Sequence, residues 1–135
     1  MIGTDSHAQI DPFAELRAVE LHARAVTGRR NVWAHPGPDG LAAALLDVGT
    51  AGGAAALGVN AGAITVGGRA DLVAVDLDAP ALRGARVLPA LVFAGHPGLV
   101  TDVWVAGARI VEAGRHPAEV SIVAAAERAL ARAEA

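Results

Sequence analysis

The hydrophobic period of this chain changes once, near Gly62, and that change constrains its fold more than any single motif. Up to Gly58 the apolar residues recur at helical spacing; beyond Gly62 they fall into short runs punctuated by glycine. Helices followed by strands, closed by a last helix, describe an α+β chain.

Asp11 and Pro12 form a helix start, because Asp can accept from free amides and Pro suits the first helical position. Phe13, Leu16, Val19, Ala23 and Val26 then share a face, with Glu15, Arg17, Glu20 and Arg24 as the polar residues between them, and Gly28 ends the helix. HPGPDG, residues 35–40, is a loop. Leu41, Leu45, Val48 and Ala55 predict one second helix over 41–57, capped by Gly58. Gly49, Gly52 and Gly53 each weaken it by up to about 1 kcal/mol, which points to close approach of a neighbouring backbone.

Ile64–Val66, a Gly67–Gly68 hairpin turn and ADLVAVD at 70–76 read as two short strands. LPALVFAG at 88–95 reads as a further apolar strand, and VTDVWVAGARIVEAGR at 100–115 as a hairpin turning at Gly107. Residues 117–134 predict an Ala-rich helix, and IGT at 2–4 the end of a strand with no partner in the chain.

Composition narrows the function classes. Hydrophobic residues make up 53% of the 135, so a folded domain is expected. A net charge of −3 argues against a nucleic-acid or anionic-membrane partner. The absence of Cys excludes disulfides, thiolate metal sites and thiol nucleophiles. No apolar run reaches the ~20 residues of a membrane span, and the first residues lack the pattern of a secretion signal. A cytoplasmic protein is therefore expected. With only Phe13, Phe93, Trp33 and Trp104 as aromatics, the core must come from Ala, Val, Leu and Ile. Such a core buries little apolar area per residue.

The residues able to do chemistry cluster at the start, in IGTDSH, residues 2–7. Asp5 just after an apolar stretch, beside Ser6 and His7, suits a metal or acid/base role. Taken alone, these residue types fit better a turn at Asp5 and Ser6 with His7 in an exposed loop. His22, His35, His96 and His116 read as solvated surface residues, and no pair has H-x-H or H-x-x-x-H spacing.

Three stretches in order resemble the amidohydrolase superfamily. IGTDSH is similar to the end of its last barrel strand. AGAITVGGRADLVAVD at 61–76 resembles its exit from the barrel into a β-sandwich, and VTDVWVAGARIVEAGR the closing sandwich hairpin. Within the superfamily GTDSH, PFAELRAVE at 12–20, TAGGAAALG at 50–58 and LVFAG at 91–95 resemble the formimidoylglutamate deiminases.

The resemblance implies a (β/α)8 barrel with a composite sandwich, a divalent metal of zinc type, and a small-molecule substrate. It implies that Asp5 is both metal ligand and catalytic residue, moving a proton from metal-bound water to the leaving group; the metal brings that water's pKa toward neutrality. The implied reaction converts N-formimidoyl-L-glutamate to N-formyl-L-glutamate and ammonia in histidine degradation. Ser6 and His7 match the motif, and their adjacency to Asp5 suggests support of the metal or substrate. Glu15 and Arg17 match positions on the following helix, where structural ion pairing is the expected role. Dimerisation is expected from the resemblance alone.

The superfamily's H-x-H pair and its other metal and substrate residues are absent from these 135 residues, and a barrel needs about 250. The expectation is a C-terminal portion, inactive alone. Residues 1–60 would be the end of the barrel, 61–116 part of the sandwich and 117–135 a terminal helix, with apolar faces left exposed. Two alternatives stand beside it: a guanine or chlorohydrolase-like deaminase, and a non-catalytic α+β scaffold or relic whose bare sheet edge pairs with a partner.

Overall fold

The computed structural model describes residues 2–6 and 8–133. In chain order these form α1 (Pro12–Thr27), α2 (Gly40–Gly49), α3 (Ala51–Leu57), β1 (Leu72–Val75), α4 (Val87–Ala94), a 3₁₀ turn (Pro97–Leu99), β2 (Val100–Val105), β3 (Ala108–Val111) and α5 (Glu119–Ala133). The mixed α+β reading holds, with corrections to individual elements.

α1 forms where the sequence places it. The Asp11 carboxylate accepts from the Phe13 and Ala14 amides, and Gly28 closes the helix in the left-handed region at φ 66°. Its buried side chains are Phe13, Leu16 and Glu20, while Val26, expected on the apolar face, is exposed. Glu20, expected between the apolar positions, is wholly buried.

The single helix expected over 41–57 is two. α2 and α3 meet at Thr50, whose φ of −108° and ψ of −91° interrupt the helical path, and Gly58 caps the second as expected. Gly49 does serve a close approach, but to side chains. A Cβ there would lie 3.1 Å from Leu16 Cδ2 and 3.5 Å from Ile2 Cδ1, whereas Gly52 and Gly53 approach only carbonyls of the preceding turn. Together the 18 residues Gly40–Leu57 have a mean hydropathy of 1.5, long and apolar enough by themselves to cross a membrane. Only 22% of that span is buried within the fold, at positions such as Ala42, Ala44, Leu45 and Ala54.

The segment 88–95 is helix α4, not a strand. Leu88, Leu91 and Val92 recur at helical spacing, and Pro89 lies in the first turn, where no intrahelical N–H bond is lost. α4 packs on α1 and α2. Leu16, Ala42, Leu45 and Val92 form the buried centre, with Ile2, Val19, Leu41, Leu46 and Leu88 around it. Leu82, Ala90 and Leu99 form a smaller cluster.

Among the described residues only β1, β2 and β3 form a sheet, antiparallel and in that spatial order. Residues 64–66 are not a strand; they lead into a turn at Gly67–Gly68, and Ile64 is 89% exposed. That turn is not a hairpin, since only one strand flanks it. Residues 2–4 make no strand pairing either. The 100–111 hairpin does form, with Trp104 opposite Arg109 and Val103 opposite both Val73 and Val111. Ala106 and Gly107 both have positive φ, as a tight hairpin turn with right-handed strand twist requires. Asp71 holds this turn: its carboxylate accepts the Ala106 amide at 2.7 Å and pairs with Arg69. The Ala106 amide is the main cause that keeps the Asp71 carboxyl below its usual range; desolvation opposes it, and Arg69 adds to the lowering.

Helices α1, α2 and α4 pack on one another and the strands pair with one another; between the two groups runs an apolar groove of about 450 Å³. Phe13, Leu16 and Leu91 line one wall, and Val73, Val75 and Val103 the other.

Candidate functional site

The N-terminal segment carries the candidate chemistry, and its two ends are fixed differently. Ile2 is partly buried against the α1–α2–α4 core. Nine residues on, Asp11 is 4% exposed and caps α1. Between them Asp5 and Ser6 form an exposed turn. Asp5 has φ 46°, in the left-handed region that costs an L-residue roughly 1–2 kcal/mol and that Asp tolerates better than most. His7 lies outside the described residues.

Asp5 offers one hard oxygen donor to a divalent cation. Among the described residues no group of three His, Cys, Asp or Glu is placed to hold a metal ion. The donors present therefore do not by themselves make a metal centre, and no catalytic step can be built from them alone. His22, His35, His96 and His116 are all exposed, as their loop and polar-face positions imply, and His116 Nδ1 accepts the Ala118 amide.

Two polar anchors tie the helical layer: Arg17, for which structural ion pairing was expected, and Glu20, which escaped the reading of the sequence. Arg17 pairs with Asp11 at 3.7 Å, but its main partners are carbonyls: Nη1 donates to Gly95 O at 2.8 Å and to Val92 O at 3.2 Å. Glu20 accepts from Arg24 Nε at 2.7 Å and from the Val32 and Trp33 amides, pinning the loop after α1. Burial pushes the Glu20 carboxyl up, but these bonds outweigh it and leave its pKa below the ordinary value. A signal for Glu20 was present, since positions 13, 16 and 20 form one stripe and Arg24 stands four residues on.

Comparison with known proteins assigns the chain as a whole to a class. The amidohydrolase family model matches residues 1–110. The chain belongs to the amidohydrolase family.

A formimidoylglutamate deiminase of Pseudomonas aeruginosa is 39% identical over 121 residues, covering 87% of this chain and 27% of that protein. A 5-methylthioadenosine/S-adenosylhomocysteine deaminase of Halobacterium salinarum is 44% identical over 84 residues, covering 60% and 18%. Among solved structures, an adenosine deaminase from Xanthomonas campestris with bound zinc superposes with a TM-score of 0.83 at 34% identity, over 96% of this chain and 29% of that one. An amidohydrolase from Brucella melitensis gives a TM-score of 0.75 at 32% identity, over 91% and 27%. The chain thus spans about a quarter or less of the length of the curated relatives it matches.

Proposed function

We propose that this chain is the Asp5-bearing C-terminal portion of a metal-dependent deaminase, acting on the C–N bond of N-formimidoyl-L-glutamate. The observation that carries this reading is the 39% identity to a formimidoylglutamate deiminase across 87% of the chain. In the reaction water adds to the formimidoyl carbon, that carbon's bond to the terminal nitrogen breaks, and N-formyl-L-glutamate and ammonia result. A bound divalent metal of zinc type supplies the electrophilic and water-activating chemistry. Asp5 is the residue of this chain assigned to that site, as one oxygen donor and as the carboxylate that carries a proton to the departing nitrogen. Ser6 and His7, adjacent in sequence, support the metal or substrate. Residues 1–60 would complete the barrel and 61–116 a sandwich, with 117–135 as a terminal helix. The exposed Ile64, Val66 and Val73 fit surfaces that the rest of such a protein covers.

A second reading is favoured by the likeness to the adenosine deaminase and to the Halobacterium deaminase: loss of ammonia from an adenine nucleoside. Expression of this chain with its upstream coding sequence, to the length of its relatives, separates the two. Release of ammonia from formimidoylglutamate, and not from adenosine or 5-methylthioadenosine, is the expected result. The reverse preference establishes the second reading. An upstream stop codon with no barrel-coding sequence before it overturns both.

A further inference from the structure

We propose that Asp11 and Arg17 are positioning residues for Asp5: together they clamp the segment that presents it onto the C-terminal end of α4. The inference rests on the reading of Asp5 as a functional carboxylate, but the clamp itself is visible in the contacts.

Among the described residues between Ile2 and Asp11, only Thr4 is half-buried. Gly3, Asp5, Ser6, Ala8, Gln9 and Ile10 are all exposed. Their path is therefore set where the segment enters and leaves the fold. At the entry Ile2 packs on the core cluster of Leu16, Ala42, Leu45 and Val92. At the exit stands Asp11, nearly fully buried. One of its oxygens accepts the Phe13 and Ala14 amides at 2.9 and 3.1 Å; the other accepts from Gln9 Nε2 at 3.5 Å and faces Arg17 Nη2 at 3.7 Å.

A helix cap alone would need only the first pair of bonds. The second oxygen and Arg17 extend the cap into a tertiary tie. The Val92 carbonyl lies in the last turn of α4, and the Gly95 carbonyl lies just beyond it. Carbonyls at a helix end have no helical donor. One guanidinium meets both while it faces the carboxylate that ends the Asp5 segment, a task suited to its planar, multiply donating group. The approach is tight at this end of α4, since a Cβ on Gly95 would lie 2.9 Å from Phe13 Cδ1. A shift of α4 against α1 would therefore be felt at Asp11.

The test is backbone ¹⁵N relaxation of the 135-residue chain. In Arg17→Gln the Asp5 and Ser6 order parameters are expected to fall below about 0.6 from a rigid value near 0.85, with the β1–β3 amides unchanged. Arg17→Lys should recover part of the loss, because an ammonium cannot meet both carbonyls and Asp11 in one geometry. Asp11→Asn, which keeps a capping oxygen but loses the charge, serves if Arg17→Gln fails to fold. Leu82→Ala in the smaller cluster should lower the melting temperature without moving Asp5 or Ser6. Unchanged Asp5 and Ser6 in the clamp variants, or an equal change in Leu82→Ala, overturns the proposal.

In the polypeptide extended to its relatives' length, Arg17→Lys should lower kcat by roughly ten- to a hundredfold with KM nearly constant, as a displaced functional group does. If the native extended protein releases no ammonia, the assignment of Asp5 fails, while the relaxation data still decide the clamp.

Discussion

Helix α1 and the terminal helix α5 come from similar alanine-containing, amphipathic sequence, yet only α1 closes a core, against the more apolar α2 and α4. Leu45 and Val92 are wholly buried between the packed helices. α5 buries none of its described side chains; Val120 is 75% exposed and Leu130 64%. An amphipathic pattern specifies a face, and a second element must be within reach to bury it. In the first layer three helices and Ile2 converge on one cluster, while Asp11 caps α1, half-buried Arg17 ties α1 to the end of α4, and buried Glu20 ties it to the loop that follows. At α5 the ties are short-range, such as Arg115 with Glu119.

That contrast predicts a steep gradient of mutational effect. Leu45→Ala should cost the most, about 2–5 kcal/mol, because the removed methyls leave a cavity that the packed helices cannot close. Urea denaturation would measure it, and a loss under 1 kcal/mol would mean the helical layer is not a core.

Glu20→Gln should come next, at roughly 1–3 kcal/mol, since it weakens the bond to Arg24 and the pairing of the Val32 and Trp33 amides. Its pH dependence has a definite sign. The folded pKa is lowered, so the native contribution is complete above the unfolded value near 4.3 and is lost as pH falls through the folded value. The variant should flatten the stability curve below about pH 4.3, which acid titration followed by circular dichroism would show.

Leu130→Ala should have the smallest effect, within about 0.5 kcal/mol, as for other surface positions. A cost comparable to that of Leu45→Ala would show that α5 has a packing partner in solution and would erase the contrast.

The same contrast explains what was legible in the sequence. α1 was legible in outline because its cap, its stripe and its terminal glycine are local features. The 100–111 hairpin was legible because its alternation and its glycine turn agree. Segment 88–95 was misread because a short continuous apolar run fits a buried strand or a buried helix equally, and only contact with α1 and α2 decides. Residues 64–66 have strand-like composition but no partner to pair with. Glu20 groups by charge with the polar residues between the apolar positions, although its place continues the Phe13–Leu16 stripe. Of the candidate site, the exposed turn at Asp5 and Ser6 was legible. The chemistry was not, because a single carboxylate does not define a metal centre and no other donors gather around it among the described residues.

The central claim is that this chain supplies an amidohydrolase with its Asp5 carboxylate. It is tested most directly by zinc content and ammonia release of the extended polypeptide with native Asp5 and with Asp5→Asn. The account predicts a native protein that holds zinc and deaminates formimidoylglutamate, and a variant whose kcat falls by at least roughly a hundredfold. Equal activity and equal zinc in the two proteins would contradict it.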